Sequence, residues 1–583
     1  MARSRMLNAL RQLHRDFREA DRTGRPRVEV HEENAELRAA RKKEGLTRRD
    51  FLVGVGAVAA AASLPGGLAR AKGGGGETFT EIAIIGAGMA GLAAGIRLKD
   101  GGRQAVIFET QNRVGGRLLT DRATNPNTSC GICHPDAHGR FETGWADGQY
   151  VDVFGELIDS LPRWFNTWDL AGRYWSVDPA DPNCVMIDMF KNYPAGSTDT
   201  YYFQGGYYPW AQVVADFKPV YDAVVADERA APYPTTYANA NDRYGAARHA
   251  LDNMSIYDWI ETRVPGGHAS RFGQLLDAEY NIEYGAETTQ QSSMNLIYLL
   301  AYQPDRRSFS VYGESDEKWK LKGGIDLLTT AMANELSAWG TEVRLGYALR
   351  KISVAADGSY YLDFGNAGRV RATYVIMALP FSALRASIDF SAAGFSDFKK
   401  NTILNAAVGH NYKAGLQFTR RFWNEPGPWG ISNGNLSSDL GCQYGWDATR
   451  GVPGSHGILI NYAGGNVVDA MALRHPYGNQ SDRNTLTDAD TFLHQLEIMF
   501  PGVPVRSLWN GKVAATKSHL DPNYLCGYGS YIPGGYVQWC GAERLRSGNV
   551  FFCGEHTSIE YFGFFEGAAD EARMVAETLL ARR

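Results

Sequence analysis

Two groups of residues have the types and spacing to bind a charged cofactor, and a third has the spacing of a cofactor or metal ligand set. The first is Gly86-Ala87-Gly88-Met89-Ala90-Gly91. Gly86 permits a tight turn, Gly88 lets the backbone approach a pyrophosphate, and Gly91 lets the following helix pack close to a sheet. Glu109 lies 18 residues after Gly91, at the distance where a carboxylate accepts hydrogen bonds from ribose hydroxyls. The second group, Arg113-Val114-Gly115-Gly116-Arg117, follows directly and offers bare backbone between two cations. The third is Cys130-Gly131-Ile132-Cys133-His134, with His138 nearby, inside a loop-like stretch rich in Asn, Pro, Gly and His. Its C-x-x-C-H spacing fits covalent haem attachment, but also a disulfide, a metal site or plain loop cysteines.

The elements around the first group match that chemistry. Glu81–Ile85 is an apolar, β-branched run that reads as a strand, and Leu92, Ala93, Ala94, Ile96 and Leu98 follow a helical pattern. Ala105–Phe108 reads as a second strand ending at Glu109. The unit is a βαβ fold whose helix N-terminus faces the phosphates of a dinucleotide, and at this point NAD and FAD both fit.

The element that decides between them is Arg113–Arg117, which resembles the R-x-G-G-R run of the flavin amine oxidases, the family of monoamine, polyamine and L-amino-acid oxidases. The resemblance continues along the chain. Glu142-Thr143-Gly144-Trp145 resembles the family's E-x-G turn at the flavin edge, and Lys322–Leu327 its helix-opening glycine pair. Val375–Pro380 resembles its strand ending in proline, Val550–Glu555 its last strand and acidic turn, and Gly563–Ala568 the start of its final helix. The resemblance implies an α/β (α+β) fold: a discontinuous Rossmann-like FAD-binding domain at 77–150, 318–385 and 523–583, and a substrate-binding domain at 151–317 and 386–522.

It also implies roles. Gly86, Gly88, Met89, Ala90, Gly91, Glu109, Arg113, Gly115, Gly116, Arg117, Val343, Glu555, Phe565 and Glu566 would bind FAD. Lys413 resembles the lysine that holds a water against flavin N5, and Tyr528 and Phe564 the two aromatics that sandwich the amine. Gly527 stands where members with covalently bound flavin carry cysteine, so non-covalent FAD is expected, with Cys526 one residue out of register. Asp147 stands where amino-acid oxidases often carry arginine, and a carboxylate there favours an amine with a second cationic group over an amino acid. The implied reaction is oxidation of an amine to an imine, hydrolysis of the imine, and reoxidation of the flavin by O2 to give H2O2. The alternatives are an L-amino-acid oxidase, an amine dehydrogenase passing electrons to a haem or external acceptor, and a non-catalytic flavin electron-transfer or assembly protein.

Composition agrees with a folded enzyme. The 583 residues carry 59 basic and 64 acidic side chains and are 44% hydrophobic, which excludes general disorder and gives no basic excess for nucleic acid. Seven cysteines are too few for a disulfide scaffold. Residues 1–50 differ, with 14 Lys and Arg against 9 Asp and Glu. They lead into Arg48-Arg49, an apolar run Val53–Leu64, Ala69-Arg70-Ala71 and Gly73–Gly76, which together resemble a twin-arginine export signal and linker at 1–76. The run of 12 residues is too short to span a bilayer core. The expectation is a periplasmic or secreted protein, handled by the twin-arginine machinery and beginning near Lys72. That pathway exports folded proteins, so a tightly bound cofactor is expected, and haem attachment at Cys130 and Cys133 is not. A homodimer is compatible with the sequence, which does not fix the oligomeric state.

Overall fold

The computed structural model describes residues 78–122, 143–161, 163–191, 193–301 and 315–582. The signal-like segment, Glu142 and the cysteines at 130 and 133 lie outside these residues. Strand β1 (Thr78–Ile85), helix α1 (Met89–Asp100) and strand β2 (Val106–Glu109) form the βαβ unit expected of the glycine motif. Ile82 to Ile85 are almost wholly buried, as in a parallel strand covered on both faces.

β1 is the centre of a seven-stranded sheet. It pairs in parallel with β2 on one side and with the strand Arg369–Met377 on the other. Beyond β2 lies the edge strand Glu342–Leu345, also parallel. The strand Arg369–Met377 is long enough to pair twice along its far side, antiparallel with Tyr360–Asp363 through its first half and parallel with Val550–Phe552 through its last three residues. Two helices from opposite ends of the chain share the face of this sheet: α1 packs against the final helix, Phe565–Leu580, in one continuous apolar core.

Gly91 shows why this packing is close. A Cβ there would sit 1.9 Å from the Gly86 carbonyl oxygen, so only glycine brings the first turn of α1 against the end of β1. The last helix is tied down at its start as well. Both carboxylate oxygens of Glu566 accept hydrogen bonds from Asn166 and Thr167, including their backbone amides at 2.8 Å, and so cap the helix Phe165–Gly172.

The other half is an eight-stranded sheet backed by helices. Its order is Tyr477–Asn479, Trp509–Lys517, Asn411–Phe418, Gly457–Gly464, Tyr444–Gly445, Ser432–Ser438, Thr198–Phe203, Gly206–Tyr207. Asn411–Phe418 is buried at every position and runs between two antiparallel neighbours, so Lys413 sits beside Tyr462 and Thr516 in a central strand. The helices Trp210–Ala230, Ile256–Arg263, Arg271–Tyr284 and Ser293–Leu300 build a separate apolar core, which takes in Tyr201, Phe203, Tyr208, Phe217 and Tyr221.

A separate two-stranded pair lies outside both sheets: β3 (Thr120–Arg122) pairs antiparallel with β4 (Tyr150–Asp152). This register moves the turn expected at Glu142–Trp145. Gly144 faces the Lys512 side chain and Trp145 donates to buried Asp121, whereas the chain that turns into the interior is Val153–Leu157, straight after β4. An acidic residue and a glycine recur beside it as Asp152, the last residue of β4, and Gly155, which lines the interior. No helix among the described residues is long and apolar enough to cross a membrane.

Candidate active site

One cavity of about 280 Å³ runs from the glycine turns into the second sheet. At its nucleotide end it is lined by Gly86, Gly88, Met89, Ala90, Glu109, Gly115, Gly116 and Arg117. Gly88 and Gly116 face each other, and a Cβ on Gly116 would stand 3.2 Å from the Gly88 Cα. The wall here is bare backbone, which allows the close approach a pyrophosphate needs. Glu109 closes this end. Its two oxygens accept the amides of Ala87 and Gln111, each at 2.8 Å, and burial pushes its pKa up.

The middle of the cavity is built by the last strand and the turn after it. Glu555 accepts Arg117 at 3.0 Å and the amides of Gly529 and Gly563. His556 beside it is buried with neither ring nitrogen bonded within the protein, and burial pushes its pKa down to about 3. A neutral histidine with open nitrogens, a backbone cradle and the N-terminus of the helix Phe565–Leu580 together fit a flavin dinucleotide lying along this cavity. When bound, the flavin supplies the two-electron acceptor.

At the far end are Lys413, Tyr528 and Phe564, the three residues expected to meet the amine, joined by Tyr444, Trp446, Tyr462, Phe154 and Phe562. The Tyr528 hydroxyl donates to Ile282 O at 2.6 Å and lies 3.1 Å from the Tyr462 hydroxyl, which fixes both rings. The Lys413 ammonium lies over the Trp446 ring, 4.8 Å from its centroid, and donates to Glu156 at 2.7 Å and to Phe154 O at 3.2 Å. Burial lowers the pKa of Lys413, against the opposing pull of Glu156.

Glu283 and Glu317 also face the cavity. Burial raises both; the charge of Glu317 adds to it at Glu283, and those of Asp159 and Asp316 add to it at Glu317, which is pushed up to about 8. Among the described lining residues the arginine and lysine are Arg117 and Lys413, and each is already paired with a glutamate.

Several expected contacts are placed elsewhere. Asp147 is exposed and accepts the backbone and ring of His456, which lowers its pKa, so it does not line the cavity. Arg113 is buried behind the glycine pair, where it donates to Gly116 O and the Tyr524 hydroxyl and stiffens the loop. Glu566 spends its carboxylate on the cap already described, while its neighbours Phe565 and Ala568 line the cavity. Val343 packs in the core on the sheet's edge strand beside Ile107, outside the lining. Gly91 acts in helix packing and does not line the cavity either. Gly527 does line it, and a Cβ there would meet the Asn411 amide oxygen at 2.3 Å, so this position has no room for a larger side chain in its present packing.

Glu156, Glu283, Glu317, Trp446 and Tyr462 were not legible as site residues. Only Glu156 carried a local signal, since it follows Asp152 and Gly155 directly after β4.

A largely parallel sheet with a glycine turn, a nucleotide cradle and an aromatic chamber at its end defines a dinucleotide-binding flavoprotein. The model of the flavin-containing amine oxidoreductases matches residues 291–580, and that of the NAD(P)-binding Rossmann-like domain matches residues 84–175. The chain belongs to the flavin-containing amine oxidoreductases and is an FAD-dependent oxidoreductase. An L-amino-acid oxidase of Siganus canaliculatus is 23% identical over 523 residues, covering 86% of each chain. A pseudooxynicotine dehydrogenase of a Pseudomonas species is 22% identical over 554 residues, covering 91% of this chain and 95% of the relative. The solved structure of cyclohexylamine oxidase from Brevibacterium oxydans IH-35A superposes with a TM-score of 0.67 at 19% identity, over 86% of this chain and 99% of its own.

Proposed function

We propose that this protein oxidises an amine bearing a second cationic group, with O2 as the acceptor. The amine carbon loses a hydrogen with its two bonding electrons and the nitrogen loses a proton, water hydrolyses the resulting imine to a carbonyl compound and ammonia, and the two electrons and two protons reduce O2 to H2O2. The observation that carries this reading is the charge of the chamber. Glu283 and Glu317 face it, and no unpaired cation among the described lining residues is available to hold a substrate carboxylate. An approaching ammonium favours ionisation of these two carboxyls, whereas the carboxylate of an amino acid would find two acidic groups and no unpaired cation beside it. Tyr528, Tyr462, Trp446 and Phe564 supply the apolar wall in which the reacting amine is held neutral.

Peroxide release with a panel of diamines, monoamines and L-amino acids tests the reading. A diamine is expected to be turned over best. Glu317→Gln and Glu283→Gln are each expected to raise its KM by about 10-fold or more, with little change for a monoamine of the same length. Best activity on an amino acid would overturn the substrate class, and an absence of turnover with every compound would overturn the enzyme.

FAD is proposed to be held without a covalent bond, since Gly527 carries no thiol and Asn411 fills the space one would need. Acid precipitation is expected to leave a yellow supernatant, and flavin retained in the pellet would place a link at another residue. Export through the twin-arginine pathway is proposed as well, on the paired arginines, the short apolar run and Ala69-Arg70-Ala71.

A further inference from the structure

Four buried charged groups form a line that ends at the cavity. Asp152 Oδ2 lies 3.9 Å from Lys320 Nζ. Lys320 Nζ donates to Glu156 Oε1 at 2.7 Å, and Lys413 Nζ donates to the other oxygen, Glu156 Oε2, also at 2.7 Å. Lys320 and Asp152 are 0% exposed, Lys413 is 4%, and only Glu156 and Lys413 line the cavity. Lys320 is anchored from several directions: it donates to Ala448 O at 3.0 Å and sits over the Tyr150 ring at 4.4 Å. Asp152 is fixed by the Thr120 hydroxyl and the Ile325 amide.

A carboxylate between two ammoniums is shared. Were Glu156 to serve Lys413 alone, both of its oxygens could turn to that ammonium and hold its proton strongly. With one oxygen committed to Lys320, and with the Lys320 charge itself repelling a second cation, Lys413 is bound in position but its proton is held less tightly.

We propose that Lys320 is a positioning residue of the reaction: by occupying one oxygen of Glu156 from behind the cavity wall, it orients Lys413 toward the cavity and eases release of its proton. This rests on the reading of Lys413 as a residue that meets the reacting centre. The directions of titration agree. Burial acts to lower both lysines; in Lys320 the attraction of Glu156, Tyr150 and Asp152 outweighs it, and in Lys413 burial prevails, with the Lys320 charge adding to it. The titratable and charged groups facing Lys413 are Glu156, Lys320 and Asp152. Tyr150 faces Lys320, and Glu317 lies near enough to Glu156 to feel its charge.

The test is the pH profile of whichever half-reaction Lys413→Met slows, measured by stopped flow on flavin-loaded Lys320→Met and Glu156→Gln. Lys320→Met is expected to move the apparent pKa of that step up by one unit or more, because Glu156 then serves Lys413 alone. Glu156→Gln is expected to move it down, because the attraction is gone while burial and the Lys320 charge remain. A purely structural role gives no such opposed pair of shifts. If Lys320→Met fails to fold, Glu156→Gln alone decides: a downward shift supports the proposal, and no shift or an upward one overturns it. If Lys413→Met slows a half-reaction and neither variant moves its profile, the proposal is overturned and the reading of Lys413 stands. If Lys413→Met slows nothing, the reading of Lys413 falls and the proposal with it.

Discussion

Lys413→Met is expected to slow one half-reaction of amine oxidation by about 10²-fold or more, the size of effect that follows loss of a positioned acid–base or electrostatic group. Flavin content and fold should be retained, for two reasons in the structure. Lys413 stands in a fully buried strand with its ammonium over the Trp446 ring, and methionine, of similar length, places an apolar group against that ring. Removing the ammonium does not strand Glu156, because its other oxygen remains paired with Lys320. Stopped-flow traces of flavin reduction under anaerobic amine, and of reoxidation by O2, separate the two half-reactions. Unchanged rates in both, with full flavin occupancy, would remove Lys413 from the chemistry.

Gly91→Ala is expected to yield protein that is insoluble or essentially free of flavin, with affinity for the dinucleotide reduced by at least about 10²-fold. The added methyl would lie 1.9 Å from the Gly86 carbonyl, and a backbone oxygen cannot rotate away as a side chain can. The first turn of α1 must therefore lift off β1, and the amides that cradle the pyrophosphate move with it. Gly95→Ala, one turn along the same helix, is the control. Its Cβ would meet only the terminal methyl groups of Ile107 and Leu336 at 3.1 Å, which can shift, so flavin retention close to normal is expected. Flavin absorbance per polypeptide after gel filtration compares the two. Equal retention would show that the helix tolerates displacement and that the cradle does not depend on Gly91.

What could be read from the chain alone follows the range of the interactions. The nucleotide turn is a contiguous motif in which each glycine answers a local steric demand, and Gly86–Gly91 and Glu109 lie where that logic puts them. Lys413, Tyr528 and Phe564 also reach the cavity, because each is fixed in register to a strand or helix end that the family resemblance marks. The errors come from side-chain direction and hairpin register. Asp147 follows an E-x-G match by only a few residues, yet β3 pairs with β4 so that the inward turn comes after residue 152. Glu566 and Arg113 belong to the right segments, but their side chains point backward to hold other backbone in place. Glu283 and Glu317 could not be found by spacing at all. They come from a helix and a loop of the central part of the chain, and they meet Lys413 and Tyr528 only once the second sheet has formed.

The pairing of first and last elements has a consequence for biosynthesis. The strand Val550–Phe552 completes the parallel sheet, and the helix Phe565–Leu580 both covers α1 and lends the cavity Phe565 and Ala568. A ribosome that has delivered β1, α1 and β2 has made the phosphate turn but not the chamber, and the apolar face of α1 lacks its cover until the helix Phe565–Leu580 has emerged. Flavin capture therefore waits for the helix Phe565–Leu580, and retention of the cofactor reports that translation has passed it.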